Sequence, residues 1–288
     1  MKTFSIVGAG RLGTVLGSAL VRRGWQAEVI VDRNARAASG SRRIIGRGRV
    51  STSPAAAAKA RGAVIIAVPD DALGRVASAL ARSGGSWAGR YVFHTSGLLP
   101  ARVLAPLAER GARIASLHPV QTFPRKDAPA SVFKGITWGV EGDPAAVETA
   151  EEIVRTLRGN VLLLSEKDKP LYHAACTLAS NALIALEWTA ADVLRRAGVS
   201  EEAAAGTLFP LLHGTLQNVK SFGLEKALTG PILRGDVATV RKHLEVLGGN
   251  PGTKQIYAVL GKQTLRLAVK SGLPPGRVRA LKRLLEGK

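Results

Sequence analysis

The chain of 288 residues holds one cysteine, one methionine and only 5% aromatic residues. With Cys176 alone, an intrachain disulfide framework is impossible and a cysteine-based zinc site is not expected. No apolar run reaches the roughly 18 residues that would mark a membrane-spanning helix. The opening stretch from Met1 to Gly8 is apolar too briefly for a signal peptide. A cytoplasmic protein without a membrane partner is therefore expected. Acids are scarce as well: 21 Asp and Glu against 41 Lys and Arg leave a net charge of +20. Such an excess invites a nucleic-acid reading. The arginines are nevertheless scattered through Ala/Leu-rich stretches, and few aromatics exist to stack on bases. An anionic cofactor accounts for the charge better than nucleic acid does. What is abundant is apolar: 46% hydrophobic against 22% charged residues excludes wholesale disorder.

The apolar residues are patterned in two ways. Phe4 to Val7, Ala27 to Val31, Ala63 to Val68, Tyr91 to His94 and Arg113 to Leu117 read as short strands separated by helical stretches. Continuous β-branched runs of this kind indicate parallel strands covered on both faces. Ile136 to Val140 and Val161 to Leu164 read as two more, flanking a helix that starts at Asp143-Pro144. After Ser165 the strands stop. Lys167 to Ala197, Glu201 to Asn218, Val237 to Leu247, Lys254 to Ser271 and Gly276 to Leu285 read as helices. The expected fold class is α/β: a doubly wound parallel sheet over residues 1–165, then an all-helical domain over 166–288 for substrate and dimerisation.

Gly8-Ala9-Gly10-Arg11-Leu12-Gly13 matches G-x-G-x-x-G between a strand and a helix. Gly8 makes the turn, Gly10 lets backbone approach a pyrophosphate, and Gly13 lets the helix pack on the strand. The amides of Arg11 and Leu12 then lie at the helix N-terminus that faces the anion. Asp32 closes the second strand where an acid accepts the adenosine ribose hydroxyls, which favours NAD. Arg33 and Arg36 follow at once, and an arginine there pairs with a 2′-phosphate. NADP is favoured over NAD on that ground, with Asp32 turned away to an arginine. For the last two arginines of the cluster, Arg47 and Arg49, a solvated loop is the expected reading. Val68 and Pro69 close the third strand and form the wall along which the cofactor's ribose lies.

Polar groups follow the next two strands: His94-Thr95-Ser96-Gly97, then His118-Pro119-Val120-Gln121. Both fall on the carboxyl edge of the sheet, where a nicotinamide would lie. A strand-end histidine is equally a cap or loop anchor, and His118 is the better functional candidate of the two. Further on, His173, Thr177 and Asn181 recur at i, i+4 and i+8 and share one helical face. An unpaired buried polar group costs about 1–3 kcal/mol, so this stripe meets water, a partner or a substrate. Cys176 reads as packing rather than as a nucleophile.

The stretches GAGRLG, IIAVPDDAL, FHTSG, SLHPVQTFP, YHAACTLASNALIAL and LTGPILRGDVATVRKHLEVL, from Gly8 to Leu247, carry a resemblance. The chain resembles a group of two-domain Rossmann proteins with a helical domain of unknown function. Its relatives are ketopantoate reductase, pyrroline-5-carboxylate reductase, 3-hydroxyisobutyrate dehydrogenase and prephenate dehydrogenase. The resemblance implies an NADP(H)-dependent oxidoreductase that moves a hydride to or from a small carboxylate-bearing carbonyl or hydroxy compound, ketopantoate being one candidate. A cyclic-imine reductase and a non-catalytic NADP(H) sensor are the alternatives. Ser96 and His118 match a serine–histidine pair of prephenate dehydrogenase, which implies proton transfer by His118 and its orientation by Ser96. His173, Thr177 and Asn181 fall where ketopantoate reductase has lysine, asparagine and asparagine; only Asn181 is the same residue type. His173 and Asn181 would bind or polarise the substrate oxygen, with His173 competing with His118 for the proton. Thr177 or Ser180 matches the hydroxyl used by imine reductases, and Arg234 is expected to hold a substrate carboxylate. The relatives' helical domains imply a homodimer, and helices around Leu208 to Leu216 and Val240 to Leu247 carry the apolar residues for it.

Overall fold

The computed structural model describes residues 2–288 and divides into two compact units, residues 1–179 and 180–288. The first unit holds β1 (Thr3–Val7), α1 (Arg11–Arg22), β2 (Gln26–Val31), α2 (Ala35–Ile45), β3 (Arg49–Ser51), α3 (Ala55–Ala58) and β4 (Ala63–Ile66). It continues with α4 (Asp70–Arg82), β5 (Tyr91–His94), α5 (Ala105–Ala108), β6 (Arg113–Pro119), β7 (Thr137–Gly142), α6 (Pro144–Thr156) and β8 (Asn160–Leu163). Helix α7 (Lys169–Arg196) begins in it and runs on into the second unit. The strands stop near the expected boundary at Ser165. The contact boundary falls later, after Ala179, because the first turns of α7 pack on the sheet.

The sheet has the order β3-β2-β1-β4-β5-β6-β7-β8. Alternate strand residues enter opposite cores: Phe4, Ile6, Ile65 and Phe93 on one face, Val7, Val64, Ile66 and Val92 on the other. The chain winds outward from β1 to β3, then resumes at β4 on the other side of β1. That reversal opens a crevice at the carboxyl ends of β1 and β4, where α/β folds place ligands. All pairs are parallel except β6 with β7, which is antiparallel. Residues 120–136 leave and re-enter the sheet at the same end, with Pro119 opposite Trp138, whereas a parallel neighbour requires a crossover to the other end. Arg47 lies in the exposed loop after α2, as expected, whereas Arg49 belongs to β3 and not to a solvated loop. Ala38, Ser41 and Ile45 fix the inward face of α2, and Asn34 caps it by accepting from the Ala37 amide at 3.1 Å.

The second unit contains the rest of α7, then α8 (Glu201–Ala227), α9 (Val237–Val246), α10 (Pro251–Lys270) and α11 (Pro275–Leu285). Gly198, at φ +90°, ends α7, and α8 is broken at Gly223, where the backbone is not helical. Asp236 starts α9 by accepting from the Thr239 amide at 3.1 Å. The core of this unit is Ile232, Val240, Leu244, Leu265, Ala268, Leu281 and Leu285. Val240 and Leu244 thus serve the interior and not an interface. By contrast, the 28 residues of α7 and 27 of α8 contribute only Lys169 and Ala204 to the buried set. No helix among the described residues is long and apolar enough to cross a membrane.

Candidate functional site

The glycine loop is built by three different constraints. Gly8 has φ +106°, and a Cβ there would lie 2.4 Å from the Ala67 carbonyl oxygen. A Cβ on Gly13 would lie 2.2 Å from the Gly8 carbonyl oxygen, so this glycine is what lets α1 rest on β1. Gly10 has no such duty: nothing in the protein comes nearer than 4.0 Å to its missing Cβ. It leaves the N-terminus of α1 bare, with no side-chain cap and no acid in the first turn. Free amides and the helix dipole make that end fit a phosphate. Arg11 is exposed beside it, Leu12 is half-buried, and Val68 reaches the Gly8 turn from the end of β4.

Asp32 does not pair with an arginine. One carboxylate oxygen accepts from the Ala9 amide at 2.8 Å and the other from the Asn34 amide at 2.9 Å. The first bond pins the glycine loop to the end of β2, and the second closes the turn into α2. The Ala9 carbonyl on the same loop accepts from Ser41 Oγ at 3.1 Å and Lys126 Nζ at 2.6 Å. Arg33 and Arg36 are exposed and make no ion pair among the described residues. Pro69 is exposed and precedes α4.

A second group of polar side chains gathers at the ends of β5 and β6 against the first turns of α7. His118, at the end of β6, is half-buried, and its Nδ1 lies 2.7 Å from Tyr172 Oη. The His173 ring stands 6.1 Å from the His118 ring, edge to face. Gly97 makes room for both: a Cβ there would fall 2.7 Å from His173 Cδ2 and 2.9 Å from His118 Nε2. His94 is fully buried; its Nδ1 accepts from the Ser96 amide at 3.1 Å, and its Nε2 finds no partner.

Ser96 does not orient His118. Its hydroxyl accepts from the amides of Leu98 and Leu99 at 3.2 and 2.9 Å, which closes the turn after β5. Tyr172 takes the orienting place. The other member that sequence reasoning missed is Lys169, which is 0% exposed. Its Nζ donates to Ser116 Oγ at 2.5 Å and to the Ser96 carbonyl at 3.2 Å, tying together the ends of β5 and β6. Burial brings its ammonium down to about 8, against the pull of Glu141 and Asp70. Burial, aided by Lys169 and His173, pushes His118 down to about 4. Burial and Lys169 likewise push His94 down to about 3. Both imidazoles are therefore neutral at pH 7. A signal for Lys169 was present: it lies four residues before His173, on the stripe that continues to Thr177 and Asn181.

The remaining candidates lie on α7 and in the second unit. Thr177 is exposed, and its hydroxyl donates back to the His173 carbonyl at 3.0 Å. Ser180 and Asn181 lie on α7 within the second unit, Asn181 exposed. Arg234 is exposed in the turn before α9, where its charge helps hold Asp236 ionised, and it lines a polar hollow with Glu225 and Ser271.

Comparison with known proteins gives the following. Residues 2–119 match the family model of a Rossmann-like domain, and residues 136–264 match that of a domain of unknown function, DUF2520. No curated protein matches the sequence. Among solved structures, protein TM1727 from Thermotoga maritima is 24% identical, covering 93% of this chain and 99% of that one, with a TM-score of 0.74. A protein from Bacteroides fragilis, BF3122, described as a candidate NADP oxidoreductase, is 21% identical over 92% of this chain and 98% of that one, with a TM-score of 0.73. The reductive aminase from Aspergillus terreus, solved with NADPH and ethyl-5-oxohexanoate, is 18% identical over 100% of this chain and 93% of that one, with a TM-score of 0.62. These likenesses show a shared fold. The chain thus matches a Rossmann-like domain over residues 2–119 and a DUF2520 domain over residues 136–264, the two-domain arrangement that the sequence resemblance implies.

Proposed function

We propose that the protein is an NADPH-dependent reductase of a small carbonyl compound that carries a carboxylate. One observation carries the reading: the bare N-terminus of α1 at Gly10 shares a sheet edge with the neutral histidine group at the ends of β5 and β6. The first is suited to a pyrophosphate and the second to a reacting polar group. NADPH supplies a hydride when bound. The amides from Gly10 to Gly13 hold its pyrophosphate, Val68 and Pro69 flank its ribose, and Arg33 and Arg36 face its 2′-phosphate. With Asp32 engaged by two amides, its charge is already compensated, which lowers the repulsion a 2′-phosphate would meet. The NADPH bound to the Aspergillus terreus protein is in keeping with this choice.

The chain's own residues manage the substrate. His118 is neutral and hydrogen-bonds the substrate oxygen or imine nitrogen, while Lys169 stabilises negative charge developing nearby and holds the two strand ends in place. His173 lines the same space beside Gly97. Thr177, one turn beyond His173 on α7 and in the same unit, is a further proposed substrate contact. The same donor set accepts a cyclic imine, so imines form the second arm of the test. Purified protein is mixed with NADPH and a panel of 2-oxo acids and cyclic imines, and loss of cofactor absorbance is followed. Thermal shifts with NADPH and NADH accompany it. At a hundredfold excess over Kd, NADPH adds about 2.7 kcal/mol of stability. Arg33→Ala should erase the preference for NADPH and leave NADH binding nearly unchanged. Equal shifts with both nucleotides in the wild type would reject the arginine assignment.

The protein is further proposed to act as a homodimer through its long helices. Leu178, Ile184 and Trp188 on α7 and Phe209, Leu211 and Phe222 on α8 are all exposed, Trp188 by 68% and Phe209 by 65%. Large apolar side chains exposed in this number along two helices support an interaction surface.

A further inference from the structure

We infer that Tyr172 is a positioning residue that fixes His118 as its Nε2–H tautomer, so that His118 offers a substrate a hydrogen-bond donor and no proton-accepting nitrogen. The geometry begins with the 2.7 Å contact between Tyr172 Oη and His118 Nδ1, with the two rings 89° apart and their centroids 5.6 Å apart. A neutral imidazole carries one N–H, and the hydrogen bond at one nitrogen decides which nitrogen keeps it. A phenol is a strong donor and a weak acceptor, whereas the bare imidazole nitrogen is a strong acceptor. The pair therefore settles with the tyrosine O–H donated to Nδ1. The proton of His118 is left on Nε2.

Two glycines make room around this pair. Gly139 on β7 stands opposite His118 in register, and a Cβ on it would lie 2.6 Å from Tyr172 Oη. Gly97 lacks the Cβ that would lie 2.9 Å from His118 Nε2. One glycine opens the space for the phenol oxygen, and the other leaves Nε2 uncovered. Nε2 makes no hydrogen bond among the described residues, and His118 is only half-buried. The groups that face the imidazole are Lys169 and His173 from α7 and His94 from β5, with Tyr172 at Nδ1. The cations among them disfavour an imidazolium, and burial keeps the phenol protonated.

For the reaction, which rests on the reductase reading, the consequence is directional. An Nε2–H polarises an oxo oxygen or imine nitrogen for reduction, as a neutral imidazole can. It cannot take a proton from an alcohol. The tautomer itself does not depend on any substrate, and the experiment uses that independence. Full-length protein labelled with ¹⁵N at histidine is observed by long-range ¹H–¹⁵N correlation at pH 7, with His118 assigned through His118→Asn. His118 should show a protonated Nε2 and an unprotonated Nδ1, unchanged down to about pH 5. Tyr172→Phe should give a mixture of tautomers and lower kcat more than it raises KM. Gly139→Ala, which displaces the phenol oxygen without removing it, should give the same spectral change. A wild-type His118 protonated at Nδ1 overturns the inference, as does an unaltered tautomer in a folded Tyr172→Phe protein. Failure to bind or oxidise NADPH would sink the reductase reading and leave the tautomer result standing.

Discussion

Lys169 concentrates the electrostatics of this protein. A buried ammonium 2.5 Å from Ser116 Oγ raises the cost of every further positive charge near it, and His94 and His118 respond by staying neutral. Lys169→Met should therefore let His118 titrate at a higher pH than about 4, which the same histidine spectra read directly. An unchanged His118 titration would show that burial alone controls it. The histidines also make stability depend on pH in a defined direction. Below the ordinary histidine value of 6.5 the unfolded chain takes up protons, while native His118 stays neutral until about 4. The unfolded state binds more protons in that window, so stability is complete above pH 6.5 and is lost as the pH falls towards 4. For His118 the loss amounts to roughly 3 kcal/mol. Urea unfolding at pH 7 and pH 4.5 should show a smaller difference in His118→Gln than in the wild type. An equal difference in both would refute the linkage.

At the scale of elements, the glycine loop separates folding from binding. Gly13 is a packing residue, because its Cβ would strike the Gly8 carbonyl at 2.2 Å; Gly10 borders open space. Gly13→Ala should cost about 1–3 kcal/mol of stability through overpacking between α1 and β1. Gly10→Ala should leave the melting temperature of the free protein unchanged while weakening NADPH roughly tenfold or more, since a methyl group would crowd the pyrophosphate. Paired thermal melts and cofactor titrations test both. Destabilisation by Gly10→Ala with intact NADPH binding would invert the assignment. Helix α7 shows a different economy. Its Lys169, Tyr172 and His173 serve the polar group of the first unit, while its later turns expose Leu178, Ile184 and Trp188. One helix thus carries site residues at its start and unsatisfied apolar surface further on.

For the whole molecule, those exposed side chains argue for a second copy of the chain. A stable interface buries more than about 1,000 Å² in total. The apolar residues of α7 and α8 are the supply for it, in place of Val240 and Leu244, which the second unit's own core consumes. Light scattering across a dilution series should give the mass of a dimer. Trp188→Asp combined with Phe209→Asp should give a monomer that still binds NADPH. A wild-type monomer at every concentration would remove the dimer from the account.

The sequence by itself determined the alternation of strands and helices, the place of the glycine loop and the change to an all-helical second part. Periodicity and turn chemistry are local, and they survive translation into structure because each strand needs only its own β-branched run. The histidine at the end of β6 was legible for the same reason, since a strand-end position follows from the strand. Local signals did not reach the partners. That β7 runs antiparallel to β6 depends on where residues 120–136 lead the chain. That Ser96 turns to Leu98 and Leu99 while Tyr172 reaches His118 depends on the docking of α7, 54 residues away from His118. Lys169 continues the His173 stripe in sequence, but only the closing of two strand ends over it makes it a buried ammonium. Pairing across long sequence separations is decided by packing, and only the tertiary structure supplies that.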